Sequence, residues 1–165
     1  MQFEHTGVSA MATLLAHGKY SIRTCGRVVR VDAWGPWNVE QTLDYIQHLK
    51  TCMGTMRRPF AMLSVSHVQP LLGPECEEVL KESVRQRALL DCVAQATVLL
   101  DFSTVAEAQY RRIYVHEGLR CGIFHEIAPA VSWLISRGFT DVKGLRWGDS
   151  PALQARFDNV TLDWL

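Results

Sequence analysis

The sequence lacks the features that mark a nucleic-acid binder, a disulfide-stabilised protein or a membrane span. Its 17 Lys and Arg residues are matched by 17 Asp and Glu residues, so the basic surplus of a phosphate-backbone binder is missing. Five cysteines form no CxxC pair, which argues against a disulfide framework and a structural zinc site. No apolar run reaches the roughly 20 residues of a membrane span. We therefore expect reduced cysteines, no integral membrane segment and no nucleic-acid partner.

Signals for targeting and for cofactors are also scarce. The apolar stretch 8–16 follows Glu4 and His5 instead of a basic segment, so it does not fit a secretory signal and predicts a cytoplasmic protein. Neither GxGxxG nor a GKS/T run occurs, which argues against a dinucleotide or nucleoside triphosphate site. We expect no cofactor. There is no internal repeat, and 165 residues with 48% hydrophobic content predict one globular domain.

The first half of the chain has the pattern of a hairpin followed by a helix. Residues 20–24 and 27–33 alternate polar and apolar positions, which predicts two strands with Cys25 and Gly26 as the turn between them. Asn38 is a favourable N-cap with Gln41 three residues later, so a first helix is predicted to run to about Thr51.

The second half alternates continuous apolar runs with helical patterns. Residues 60–65, 94–100 and 119–124 predict strands that are buried on both faces. Two further helices are predicted to begin at Pro74 and Ile127. Between them, Thr104 with Glu107 forms a capping box, which predicts a helix that has Thr104 as its N-cap and ends at Gly118. The predicted fold class is α/β, a β-hairpin followed by strand–helix units in a mostly parallel sheet covered by helices.

Two extensions flank this predicted domain. We place an N-terminal extension at 1–16, the domain at 17–139 and a C-terminal extension at 140–165. The second extension contains several aromatic and aliphatic residues, Trp147, Phe157, Leu162 and Trp164. Because such side chains are costly to leave in water, we expect this extension to pack on the domain or on a second subunit. The zero net charge favours self-association as a dimer.

Several short segments together resemble a known family. They are HGKYSI at 17–22, GPWN at 35–38, the apolar strand 60–65 and IFHE at 123–126, followed by Ala130, Trp133-Leu134 and Gly138-Phe139. The chain resembles the SpoIIAA-like group of the STAS superfamily, named for anti-sigma-factor antagonists. The resemblance implies a STAS-like fold and a small non-enzymatic module that binds a protein partner. Some relatives with this fold bind nucleotides or apolar ligands.

The chain departs from that family at the phosphorylation motif. Signalling members carry Asp-Ser-Ser/Thr-Gly before the helix that follows the third strand. Here the segment is SHVQPLLGP at 66–74, in which only Gly73 matches and no Ser or Thr lies between His67 and Pro74. We therefore expect no phosphorylation switch within this segment.

Candidate binding residues come from the carboxyl ends of the predicted strands, where ligands bind in open parallel sheets. Trp34 and Trp37 flank a Gly-Pro pair and could line an apolar pocket or a protein contact. Trp37 could instead pack beneath the first helix as a hydrophobic staple. The full set of candidates for a ligand or partner is Trp34, Trp37, His67, Asp101, Ser103, His125 and Glu126.

Catalytic and metal-binding interpretations of these residues are weaker. Ser66, His67 and Asp101 have the residue types of a nucleophilic set, but no GxSxG turn is present. His67, His125 and Glu126 could ligate a metal, but their spacing fits no tight motif such as HExxH. The simpler interpretation makes Asp101 and Ser103 helix caps, His67 an exposed loop residue, and His125 and Glu126 the start of the fourth helix. We expect neither a catalytic set nor a metal.

The sequence thus favours a non-enzymatic regulatory or protein-binding module. The alternative is a carrier or sensor of a small apolar, lipid-like ligand held near the strand ends by Trp34, Trp37 and the second helix. Cavity volume separates the two, because small-molecule sites usually enclose roughly 300–1,000 Å³.

Overall fold

The computed structural model describes residues 17–145. Its centre is a five-stranded sheet in which the strands follow one another in sequence order. The first two strands form an antiparallel hairpin and the remaining pairs are parallel. The strands are β1 (Lys19–Cys25), β2 (Val28–Trp34), β3 (Phe60–Val68), β4 (Cys92–Leu99) and β5 (Arg120–Phe124). The predicted α/β class with a mostly parallel sheet is confirmed.

Helices cover both faces of this sheet. They are α1 (Val39–Met53), α2 (Pro74–Leu89), α3 (Thr104–Ile113) and α4 (Ile127–Ser136), followed by a 3₁₀ helix (Thr140–Gly144). Parallel strands in sequential order place α1, α2 and α3 on one face, because each right-handed crossover moves the chain in the same direction. We call this the first face. After β5, α4 and the 3₁₀ helix pack on the second face.

Strand alternation divides the core between the two faces. On the first face, Val29 and Met62 pack against Leu49 of α1 and Val84 of α2. On the second face, Val28, Leu63 and Val98 pack against Ala130 and Leu134 of α4. Both faces of β3 and β4 are therefore buried, which explains their continuous apolar runs. The prediction of burial on both faces is wrong for the edge strand β5, whose residues are exposed or half-buried.

Local capping positions the helices largely as predicted. The Asn38 side chain accepts a hydrogen bond from the Gln41 N–H at 3.1 Å, so the predicted N-cap of α1 is confirmed. The prediction for α3 is one residue off at its start, because Ser103 Oγ accepts from the Ala106 N–H at 3.0 Å. Its predicted end at Gly118 is wrong, since the helix ends at Ile113.

Two strand boundaries also differ from the prediction. The hairpin turn consists of Gly26 and Arg27, because Cys25 still pairs with Val28 in the ladder. More consequentially, β3 continues to Val68, so the interpretation of His67 as an exposed loop residue is wrong. Its neighbour Ser66 pairs with Leu99, and the Ser66 carbonyl accepts from the Leu100 N–H at 3.0 Å. Backbone pairing therefore extends the strand through two polar residues.

The start of the predicted C-terminal extension belongs to the core of the second face. Val142 and Leu145 are buried there, and the Arg27 N–H donates to Asp141 Oδ2 at 2.9 Å. The aromatic residues Trp147, Phe157 and Trp164, with Leu162, lie outside the described residues, as does the 1–16 extension. Their packing and the dimer stay predictions.

Candidate functional site

The sequence-predicted residues lie at the carboxyl edge of the parallel strands, but they separate into three places. Trp34 and His67 are on the second face, and Trp37 is on the first face. The other four occupy the edge loops or the helix starts that follow β4 and β5, namely Asp101, Ser103, His125 and Glu126. The structure thus does not bring the seven candidates together as one site.

On the second face, His67 joins a buried charged cluster. Asp32 accepts from Arg30 Nε at 2.8 Å and from Arg30 Nη2 at 3.0 Å. The other side of the carboxylate is taken by His67, whose Nε2 lies 2.9 Å from Asp32 Oδ1. The Trp34 ring stacks on the imidazole with centroids 4.5 Å apart and planes 9° apart. Trp34 and His67 therefore belong to an interior network.

This network is closed by the chain segment after α4. Arg30 Nη1 donates to the Leu145 carbonyl at 3.1 Å. Burial by itself would raise the pKa of Asp32, but the hydrogen bond with His67 and the charge of Arg30 hold it below its ordinary value. Sequence reasoning missed Arg30 and Asp32. Because Arg30 and Asp32 alternate with Val29 and Val31, the sequence places them on the same face of β2. In a sheet covered on one side only, that face would be exposed to solvent.

On the first face, Trp37 forms part of a cavity of about 50 Å³. Its wall includes three tyrosines and two serines, namely Tyr45, Tyr110, Tyr114, Ser64 and Ser66. Trp37 is held in place because its indole N–H donates to the Trp34 carbonyl at 3.1 Å. Its ring also packs against Tyr45, with centroids 5.1 Å apart. Ser64 and Ser66 belong to β3, so the sheet forms this side of the cavity.

Two edge loops meet at the rim of this cavity. The Gly35 N–H donates to the Val68 carbonyl at 2.9 Å, and a Cβ at Gly35 would clash with the Gln69 carbonyl oxygen. Only glycine permits this approach. Gln69 has a positive φ of 46°, and its N–H donates to Asp101 Oδ2 at 2.8 Å. Asp101 thus fixes the rim, while Ser103 caps α3.

The remaining candidates lie beside exposed apolar side chains. The His125 ring contacts the Phe102 ring at a centroid distance of 3.9 Å, and His125 Nε2 lies 3.6 Å from Glu107 Oε2. Glu126 is the N-cap of α4 but makes no capping hydrogen bond through its side chain. Four large apolar residues at this edge are 39–64% exposed, and we call them the edge patch: Leu71, Leu100, Phe102 and Val105.

The nucleophilic and metal arrangements considered from the sequence are not assembled. Ser66 lines the first-face cavity, whereas His67 turns to Asp32 on the second face and Asp101 binds Gln69. His125 contacts Phe102 at the edge, away from the His67 network. Within residues 17–145, no three His, Cys, Asp or Glu side chains are placed to hold a metal ion.

A scan of protein-family models, a search of curated proteins and a search of solved structures each find no match.

Across the part of the chain that the structure describes, no helix is both long and apolar enough to cross a membrane. All five cysteines, Cys25, Cys52, Cys76, Cys92 and Cys121, are free thiols.

Proposed function

We propose that the chain is a non-enzymatic regulatory module of the STAS-like type that binds a protein partner through the edge patch. One observation carries the proposal. The carboxyl edge of the sheet leaves four large apolar side chains 39–64% exposed, whereas His67 is buried against Asp32 on the second face. Clustered exposed apolar residues mark interaction surfaces more often than isolated ones do.

The partner's chemistry follows from the composition of this edge. Phe102 and Val105 offer apolar contact area next to the exposed carboxylates of Asp101 and Glu126. An apolar segment bordered by Lys or Arg would complement both parts of the surface. We therefore propose a partner that presents such a segment.

The patch is also supported by a rigid framework. Asp101 connects its loop to the loop that carries Leu71, and Ser103 fixes the first turn of α3. His125 packs on one side of the Phe102 ring. A surface already ordered before binding loses less conformational entropy when the partner arrives.

The regulation of partner binding would differ from that of the signalling members of the STAS superfamily. The loop 69–73 offers no hydroxyl group for phosphorylation, and the nearest upstream serine, Ser66, is buried in β3. We propose that partner binding is not controlled by a phosphate in this loop.

Two edge-patch variants test the function, with one matched control. Phe102→Asp and Val105→Lys place charges in the patch, whereas Leu89→Asp changes a residue that is 70% exposed at the opposite end of α2. Proteins crosslinked in the source cell by wild type and by each variant are compared by mass spectrometry. We expect one and the same protein to be lost with both patch variants and retained with Leu89→Asp.

A crosslinked set that is unchanged in both patch variants would show that the partner surface lies elsewhere. Equal loss with Leu89→Asp would also contradict the proposal, because the effect would not be specific to the patch. Circular dichroism of each purified variant confirms that it is folded before the comparison is made.

The second candidate function, a ligand carrier or sensor, concerns the cavity on the first face. Its volume of about 50 Å³ is well below the roughly 300–1,000 Å³ of ordinary small-molecule sites. A lipid chain does not fit a space of that size. This candidate therefore concerns a ligand of a few atoms, and its test is to extract the purified protein and look for such a molecule by mass spectrometry.

A further inference from the structure

A fully buried arginine lies behind the cavity without a counter-charge. Arg87 of α2 is 1% exposed, and no carboxylate within residues 17–145 lies within 4.0 Å of it. Its Nη1 is 3.3 Å from Gln95 Oε1 and 2.8 Å from Met62 Sδ, and its Nε has no hydrogen-bond partner among those residues. A buried cation with only neutral neighbours favours the approach of an anion.

A chain of hydrogen bonds links this arginine to the cavity. A guanidinium group only donates, so the amide oxygen of Gln95 must face Arg87 and its amide nitrogen must face away. That nitrogen, Nε2, donates to Ser64 Oγ at 2.9 Å. Because the Ser64 oxygen accepts this bond, its own proton is available to donate, and Ser64 lines the cavity. The hydrogen bonds from Arg87 to Gln95 and from Gln95 to Ser64 thus leave the Ser64 hydroxyl as a donor at the cavity wall.

Two tyrosines of the same wall also lie close to Arg87. The Arg87 Cζ is 5.6 Å from the centroid of the Tyr114 ring. Burial raises the pKa of Tyr45, and the nearby Arg87 opposes that rise without cancelling it. The Tyr45 hydroxyl therefore keeps its proton at neutral pH and adds no negative charge beside the cavity. Ser66 supplies a second hydroxyl at the cavity.

We propose that this cavity binds a small carboxylate with a short apolar chain. The carboxylate would accept hydrogen bonds from Ser64 and its neighbouring hydroxyl groups, and the positive potential of Arg87 would favour its charge. Val31, Leu80 and Trp37 supply the apolar part of the wall. Such a ligand would specify the second candidate function, and its binding would not involve the edge patch.

The cavity limits both the size and the affinity of the ligand. A volume of 50 Å³ holds about three to five water molecules, which suits an anion such as acetate or propionate. For five non-hydrogen atoms, the usual ceiling on binding energy corresponds to a Kd of about 3 µM. We expect a Kd of roughly 0.1–1 mM, since most ligands fall well short of that ceiling.

The test compares propionate with propionamide, its neutral counterpart of similar shape. Each is titrated into the full-length protein at constant ionic strength, and NMR follows the Trp37 indole N–H and the Ser64 amide. We expect saturable shifts with propionate and binding at least about 10-fold weaker with propionamide, as expected for loss of a charge-assisted contact. Equal binding of the two probes, or no saturable shift with propionate, would overturn the proposal.

Three variants locate the binding site. Ser64→Ala removes the donor at the cavity wall and should weaken propionate binding about 10-fold or more. Ser136→Ala is the matched control, because Ser136 is exposed on α4, far from the cavity wall, and its hydroxyl donates to the Trp133 carbonyl. Arg87→Met should abolish the preference for propionate over propionamide. If that variant does not fold, the comparison of Ser64→Ala with Ser136→Ala still decides, and unchanged binding in Ser64→Ala contradicts the proposal.

Discussion

At the scale of single residues, Arg30 and Arg87 differ in how their buried charge is compensated. Arg30 donates to both oxygens of Asp32, and His67 lies against the same carboxylate. Arg87 has an amide oxygen and a thioether instead. Removing charges from water is costly, and an ion pair recovers that cost only with good geometry. The Arg30 pair has that geometry and serves the fold, whereas Arg87 leaves positive potential beside a cavity.

The charge on Asp32 is expected to be essential to the second face. Asp32→Asn removes the carboxylate from Arg30 and His67 while it keeps the side-chain shape. Breaking a buried pair typically costs about 3–5 kcal/mol, so the free energy of unfolding in urea should fall by that order. Glu82→Gln is the control, because its partner Arg85 is exposed. Equal small effects in the two variants would show that the Asp32 charge contributes little to stability.

At the scale of elements, one carboxylate connects α2 and α3, two of the helices that contribute to the cavity wall. Glu77 of α2 accepts from Arg112 Nε of α3 at 3.1 Å and from Gln109 Nε2 at 3.0 Å. Gln109 also bonds both the N–H and the carbonyl of Leu72 in the loop before α2. Helix α3 is therefore docked through polar contacts at positions that its apolar pattern does not reveal.

The stability of this helix pair should depend on pH. The hydrogen bond from Arg112, followed by that from Gln109, lowers the pKa of Glu77 from 4.5 to about 2. A lowered carboxyl pKa contributes stability that is complete above pH 4.5 and is lost as the pH falls toward 2. Urea midpoints of wild type and Glu77→Gln should therefore converge across that range. Glu78→Gln is the control, and a constant gap between wild type and Glu77→Gln would contradict the mechanism.

At the scale of the whole molecule, the second face is completed by residues far along the chain from the strands they cover. Leu145 accepts a hydrogen bond from Arg30 through its carbonyl, and its side chain is buried. Val142 packs in the same cluster. Helix α4 alone therefore does not finish the core, and the segment after Phe139 is structurally part of it.

Substitution in the full-length chain measures this contribution. Leu145→Ala should lower the free energy of unfolding by about 2–5 kcal/mol, the usual range for truncating a buried leucine. Leu89→Ala is the matched control, because Leu89 is largely exposed at the end of α2. Urea denaturation monitored by circular dichroism decides the matter. A loss no greater than that of Leu89→Ala would show that the core is complete at Phe139.

The sequence by itself determined the elements whose signals are local. Asn38 caps α1 through its own side chain, and the Gly73-Pro74 pair begins α2, because each depends on residues a few positions away. The continuous apolar runs that identified parallel strands can likewise be recognised from a few consecutive residues. Pattern alone therefore fixed the number, type and order of strands and helices, and with them the α/β class.

The tertiary structure alone decided which side chains meet. Trp34 and Trp37 are three residues apart, yet they lie on opposite faces of the sheet. His67 was expected in a loop and is instead buried against Asp32, because β3 extends and residues 140–145 cover that face. Arg87 is buried on α2, and only the assembled core shows that no carboxylate within residues 17–145 reaches it. Periodicity gives the direction of a side chain, but what covers it comes from distant parts of the chain.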